Sequence, residues 1–269
     1  MSTLNKVFLD VFGEALTPLG FKRIKSKYPY FVRLIGDEII HVITFKKTYH
    51  CPNENWLNIL GGVATVYRQR ITLSESPKDN TDWLNDNLKF HENSYPLEFD
   101  PVFRGSLFNF KYNESTMVDI VKHSLKITEK FMLPALNTAV NIDSCIEYFH
   151  VYSPFPFIRD YENFGNDIDG EYCNEWLLYM LTENYIELKE RNMKRHNSIY
   201  AHNVKIGKHE HTQEELENRL KRYDEVKLRE IAKRDKYIDD PQLYDKTLAE
   251  IEHRKATNIE ILKSYGLDV

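Results

Sequence analysis

The chain has 269 residues, of which 42% are hydrophobic, 29% charged and 13% aromatic, a composition that excludes a disordered polyelectrolyte, a collagen-like chain and a disulfide-framework miniprotein. A length of this order predicts two domains, or one core carrying a substantial extension. Lysine and arginine total 36 against 41 aspartate and glutamate, a net charge of -5, so no global attraction to nucleic acid or to an anionic membrane is expected.

The first segment sets Leu4, Val7, Phe8, Val11, Phe12, Ala15, Leu16 and Leu19 at spacings of three and four, the broad apolar face of an amphipathic helix. Pro18 removes a donor from its last turn, and Gly20 with Phe21 predicts a Schellman stop in which Phe21 folds back on Leu16. From Phe21 the period changes to alternation. Residues 28–35 and 38–47 are rich in β-branched and aromatic side chains around Gly36-Asp37, which predicts a β-hairpin. Its exposed face is expected to carry Arg33, His41 and Lys47 or their neighbours. Residues 56–67 form a third strand, where Gly61-Gly62 marks a bulge or a close backbone approach.

Strands that follow one another without intervening helices predict an antiparallel sheet. Residues 74–101, punctuated by three prolines, read as a long connection with one short helix near 81–88, and residues 106–112 as a further strand. A helical pattern then runs from Ser115 to Leu133, and Pro134 opens a second helical piece through Phe149. The expected fold class is α+β, an antiparallel sheet with helices on one face, followed by an α-helical C-terminal region. Its organisation is a first domain over 1–153, an aromatic and proline-rich connection over 154–170, and a charged helical region over 171–269.

In that last region Thr212 with Glu215 is a capping-box signature. Asp240-Pro241 supplies an N-cap with proline at the first helical position, and Gly266-Leu267 a stop. Glu215–Arg219, Glu217–Lys221, Glu225–Arg229 and Glu230–Arg234 are favourable i,i+4 pairs, each worth about 0.2–0.5 kcal/mol on an exposed helix. A thin apolar stripe of Leu216, Leu220, Tyr223, Val226 or Lys227, and Ile231 is expected to meet Tyr244, Leu248, Ile251, Ile259 and Leu262 in an antiparallel helical hairpin.

Cys51, Cys145 and Cys173 match neither a paired disulfide framework nor a zinc knuckle, which fits a reducing compartment. Asp10 and Glu14 interrupt the N-terminal apolar pattern, so no secretory signal is read there, and no run approaches the ~18 apolar residues of a membrane span. The expectation is a cytoplasmic protein without a membrane segment.

Five elements carry a family resemblance: the opening helix ending in Leu19-Gly20-Phe21-Lys22-Arg23, the strand pair Tyr30–Leu34 and Val42–Lys47, the run Leu57–Gly62, and the later helix with Phe131–Leu136. In their order and spacing, residues 3–150 resemble the bacterial family called domain of unknown function 4304. The resemblance implies an α/β domain without established catalytic residues, some relatives of which lie among immunity-type genes of bacterial toxin systems.

The chemistry-bearing clusters each have a plainer reading. His196, His202, His209 and His211 crowd one stretch, and in a local strand His209 and His211 would share a face as two metal ligands, yet spacing supplies no third ligand, and a polar loop of solvated histidines explains them. Asp167-Ile168-Asp169-Gly170 fails as a calcium loop, because its twelfth position is Trp176 where an oxygen donor is required. Cys51 follows His50 directly, but adjacent side chains rarely face each other, and no glycine-framed nucleophile or phosphate loop is present. Residues 219–236 form a basic helix whose acids, at salt-bridging spacing, would repel a polyanion.

The aromatic set Phe155, Phe157, Tyr161 and Phe164 is the expected partner surface, with packing between the two domains as the plainer alternative. The functional expectation is a non-enzymatic protein-binding factor, of the immunity type where the family resemblance is followed, with no cofactor and no metal. Its acidic N-terminal part would speed encounter with a basic target. The alternatives are a small-substrate enzyme with His41, Tyr49 and His50 lining a cleft between the sheet and the helical region, a nucleic-acid-binding helical module, and a self-associating architectural subunit.

Overall fold

Helix α1 (Thr3–Leu16) turns Leu4, Phe8, Leu9, Phe12 and Leu16 inward, as the spacing of apolar residues requires. Phe8 and Phe12, one turn apart, stack at 4.2 Å between ring centroids. The last turn tightens into a 3-10 helix over Thr17–Leu19 and ends on Gly20 at φ 84°. The Phe21 N–H reaches the Leu16 carbonyl at 3.2 Å and the Gly20 N–H the Thr17 carbonyl at 3.0 Å, the paired bonds of a Schellman motif. This computed structural model describes residues 3–24, 26–48, 55–67, 71, 73, 109–145, 148, 187, 190, 194, 197, 198, 200–202, 204–207 and 212–267.

Five antiparallel strands follow, in the spatial order of the sequence: β1 (Lys22–Arg23), β2 (Phe31–Ile35), β3 (Ile39–Thr48), β4 (Asn55–Thr65) and β5 (Asn109–Tyr112). The β2–β3 hairpin closes on Gly36 at φ 57° and Asp37 at φ 59°. Both central residues of a type I′ turn need that left-handed backbone, which glycine adopts freely and aspartate tolerates. β3 and β4 pair without interruption from Ile39↔Thr65 to Thr48↔Trp56, so Gly61 marks a close approach rather than a bulge. A Cβ at Gly61 would lie 2.6 Å from the Met132 sulfur, and Met132 is buried; only hydrogen leaves room for that side chain.

One sheet face carries Phe31, Ile39, Ile43, Phe45, Leu57, Ile59 and Val63 into a core shared with α1 and with the helices that follow β5. Val32, Ile40, Val42, Thr44, Leu60 and Ala64, which alternate with them, are buried on the opposite face. Burial on both faces explains why β3 and β4 read as nearly continuous apolar runs.

Helix α2 (Met117–Ile127) passes through a π-helical turn, Thr128–Met132, into the short α3 (Leu133–Leu136), with Pro134 in its first turn. Buried Ser124 and Thr128 return their hydroxyls to backbone carbonyls at Val121 and Ser124, a local bonding that satisfies both side chains and favours bending. The strands and helices of the fold class are thus present, a five-stranded antiparallel sheet with helices and further helices in the C-terminal region.

The chain divides into two compact units, Met1–Ile158 with His253–Val269, and Arg159–Glu252. In the second unit, helix α4 (Gln213–Ile238) starts at Thr212, whose hydroxyl accepts the Glu215 N–H at 3.1 Å. The Glu215 carboxylate accepts instead from the Tyr200 hydroxyl, so only half of the capping box forms. Leu216 is buried, whereas Leu220 is 52% exposed, so the apolar stripe is not covered along its length.

Side chains named in the expected ion pairs also make other bonds. Glu217 accepts from Gln213, and Arg234 takes Asp235 through two nitrogens.

Asp240 caps helix α5 (Pro241–Ser264) through the N–H groups of Gln242 and Leu243. Its far end, within the first unit, stops at Gly266 with a second Schellman pair, Leu267 N–H to the Leu262 carbonyl and Gly266 N–H to the Lys263 carbonyl. There the Asn258 side chain donates to the Val66 carbonyl at 2.7 Å, and Leu262 and Leu267 are buried.

Candidate functional site

The β2–β3 register sets Arg33 directly opposite His41, so the two side chains share the face of the sheet that receives α1 and α3. Phe21, just before β1, lies under the guanidinium, whose carbon stands 4.5 Å from the ring centroid. The Schellman end of α1 offers the Leu19 carbonyl to one terminal nitrogen of Arg33 at 3.1 Å. Beyond α3, Asn137 brings its side-chain oxygen to the other, and Ala139 turns its carbonyl to His41.

That turn is itself fixed by local chemistry. Ser144 accepts the N–H groups of Val140 and Asn141, and the Asn141 side chain accepts the Ser144 N–H, an N-cap exchange that orders residues 139–144.

These contacts define the state of His41. Its Nδ1 faces Arg33 Nε at 3.1 Å and a terminal guanidinium nitrogen at 3.0 Å, groups that only donate, so Nδ1 is the acceptor. Nε2 therefore carries the hydrogen and donates to the Ala139 carbonyl at 2.7 Å. Burial pushes the pKa of His41 down, the Arg33 charge pushes it further, and the Ala139 bond opposes them, leaving it at about 4. His41 is a neutral, fully buried bridge between the sheet and the turn after α3. The expectation that it belongs to an exposed strand face is corrected: β3 faces the core at this position, and with both ring nitrogens engaged His41 offers no free lone pair for proton transfer.

Arg33 is different. It is half-buried, and burial lowers its pKa from the ordinary guanidinium value, though an arginine stays charged. All its partners are neutral: one imidazole nitrogen, one backbone carbonyl and one amide oxygen. Among the described residues no carboxylate pairs with it, and one N–H of the nitrogen bonded to Leu19 has no acceptor. Leu19 and Val140, at the two backbone segments that hold Arg33 and His41, are 46% and 49% exposed.

The other sequence-derived candidates distribute as follows. Phe155, Phe157, Tyr161 and Phe164 lie outside the described residues, as do Tyr49, His50, Cys51, Cys173, His196, His209 and His211. His202 is exposed on a helical turn, and Cys145 is a buried free thiol. Among the described residues no three histidine, cysteine, aspartate or glutamate side chains gather as a metal site, and no helix is long and apolar enough to cross a membrane.

Sequence reasoning placed Arg33 and His41 on one face but missed their pairing with each other and with Asn137. The signal in the sequence was one residue short, because a two-residue turn at Gly36-Asp37 sets Arg33 opposite Ile40, whereas the observed pairing of Ile35 with Ile39 leaves a three-residue connection and sets Arg33 opposite His41. No family model, characterised protein or solved structure matches the chain.

Proposed function

We propose that this chain is a non-enzymatic, cytoplasmic protein-binding factor whose first unit docks a partner at the end of the sheet where Arg33 is held. One observation carries the reading: a half-buried arginine without a carboxylate among the described residues, held together with His41 by two backbone segments that carry exposed aliphatic side chains, Leu19 and Val140. Arginine beside apolar surface is the composition of interface anchors. The immobile guanidinium loses little entropy on binding.

Two further points support this. His41, the side chain on which an enzymatic reading leaned, is spent on holding Arg33 and Ala139. The buried Cys145 thiol fits a reducing compartment. The resemblance to domain of unknown function 4304 implies the immunity-type form of the reading, in which the chain masks another bacterial protein.

The test places a photo-crosslinking amino acid at Val140 and, as a control, at Leu228 on α4. A discrete protein adduct at position 140 that disappears with Leu19→Asp is expected. No adduct, or the same adducts from both positions, overturns the proposal.

A further inference from the structure

We infer that the group Arg33 is built to receive is a side-chain carboxylate, an aspartate or glutamate of a protein partner flanked by apolar residues. The inference rests on the docking surface proposed above and specifies its chemistry.

A guanidinium carries five N–H donors in a rigid plane. In Arg33 four of them are committed, to His41 Nδ1 twice, to the Leu19 carbonyl and to the Asn137 amide oxygen. The ring of Phe21 fixes the plane from one side. The fifth N–H, on the nitrogen bonded to the Leu19 carbonyl, has no acceptor among the described residues. Every acceptor bonded to it among the described residues is neutral, so the positive charge is oriented and meets no carboxylate among them. A cation that has lost part of its water gains most from an anion that replaces it, and hydrogen bonds between charged groups are roughly twice as strong as neutral ones.

Lys22 and Arg23 stand exposed on the neighbouring strand, whereas the chain as a whole carries a net charge of -5. The net charge acts on a partner as a whole, and this edge acts on the one group that reaches it. Leu19 and Val140, exposed on the backbone segments that hold Arg33 and His41, offer apolar surface of the kind that excludes water around such a pair.

The full-length chain, immobilised, is panned against a phage-displayed random peptide library whose peptides have no free C-terminus, so that any carboxylate they offer is a side chain. Enriched peptides are expected to share an aspartate or glutamate beside apolar residues. Replacing that acid by its amide is expected to weaken binding to the unaltered chain at least about tenfold, and Arg33→Gln to do the same from the other side. The peptide-side substitution keeps the test valid if Arg33→Gln disturbs folding.

Acidic peptides that bind Arg33→Gln unchanged place the carboxylate elsewhere and overturn the inference. Apolar peptides lost with Leu19→Asp but indifferent to Arg33→Gln overturn the carboxylate and leave the docking surface standing. An absence of binders, or binders indifferent to both substitutions, overturns the surface and the carboxylate together.

Discussion

The sheet of the first unit and helix α4 of the second are built on opposite principles. In the sheet, alternate residues of β3 and β4 are buried on both faces, and even the polar members, His41 and Thr44, disappear into it with their bonds made to Ala139 and Pro29. In α4, long side chains stand in water, and Leu228 is 67% exposed. Order in the sheet comes from tertiary packing. In α4 it comes from caps and neighbours along the chain, of which Thr212 and the Tyr200–Glu215 contact are the clearest. A substitution in the sheet should therefore be felt across the unit, and one in α4 only near where it is made.

The largest expected effect is at Phe8, which packs on Phe12, Phe45 and Phe31 with centroid distances of 4.2, 4.6 and 5.9 Å. Phe8→Ala leaves a cavity where α1 meets β2 and β3, and truncation of a buried phenylalanine costs about 3–5 kcal/mol. Native-state hydrogen exchange should report that loss in the amides of β3 and β4, which pair across the whole sheet. Leu228→Ala, on the exposed helix, should stay within about 0.5 kcal/mol. Equal effects at the two positions would erase the contrast between the regions.

A smaller effect separates them by pH. The folded-state pKa of His41 is about 4 and that of an unfolded histidine about 6.5. Between those values the unfolded chain binds the extra proton, so stability rises with pH. His41's contribution is complete above pH ~6.5, declines as the solution is acidified, and is gone near the folded value, a total on the order of 3 kcal/mol. His41→Gln keeps a donor for Ala139 and an acceptor for Arg33 but does not titrate. Denaturant unfolding followed at Trp56 on β4 should lose the corresponding slope in this variant; an unchanged slope would mean that the titrating group is another one.

Most of what the sequence revealed is local chemistry. Gly20, Gly36-Asp37, Thr212, Asp240-Pro241 and Gly266 each act within a few residues, and each sits at the boundary its residue type predicts. The contacts that make the candidate site join distant segments. Arg33 and Asn137 are separated by 104 positions and His41 and Ala139 by 98, and alternation along β3 says which residues share a face without saying what covers that face. The return of residues 253–269 to the sheet unit rests on the same kind of contact, Asn258 on the Val66 carbonyl. An interval of 192 residues leaves no periodic trace. The π-helical turn at Thr128–Met132 is hidden for another reason: its residues continue the helical apolar pattern, which does not tell one helical hydrogen-bond register from another.

Thr212→Ala gives the smallest of these effects and tests the α4 side of the comparison. The Thr212 hydroxyl satisfies one of the N–H groups that the first turn of a helix leaves without an intrahelical partner, that of Glu215. Its removal costs about 1 kcal/mol. Because Glu215 also accepts from Tyr200, loosening the first turn should loosen that contact with it. Amide exchange should accelerate in the opening turn of α4, over Gln213–Leu216, roughly fivefold for each kcal/mol lost, and the β3 and β4 amides should keep their rates. If the sheet amides accelerate in step, the helix is coupled to the sheet as one cooperative body, and the division between packing-driven and cap-driven order does not hold.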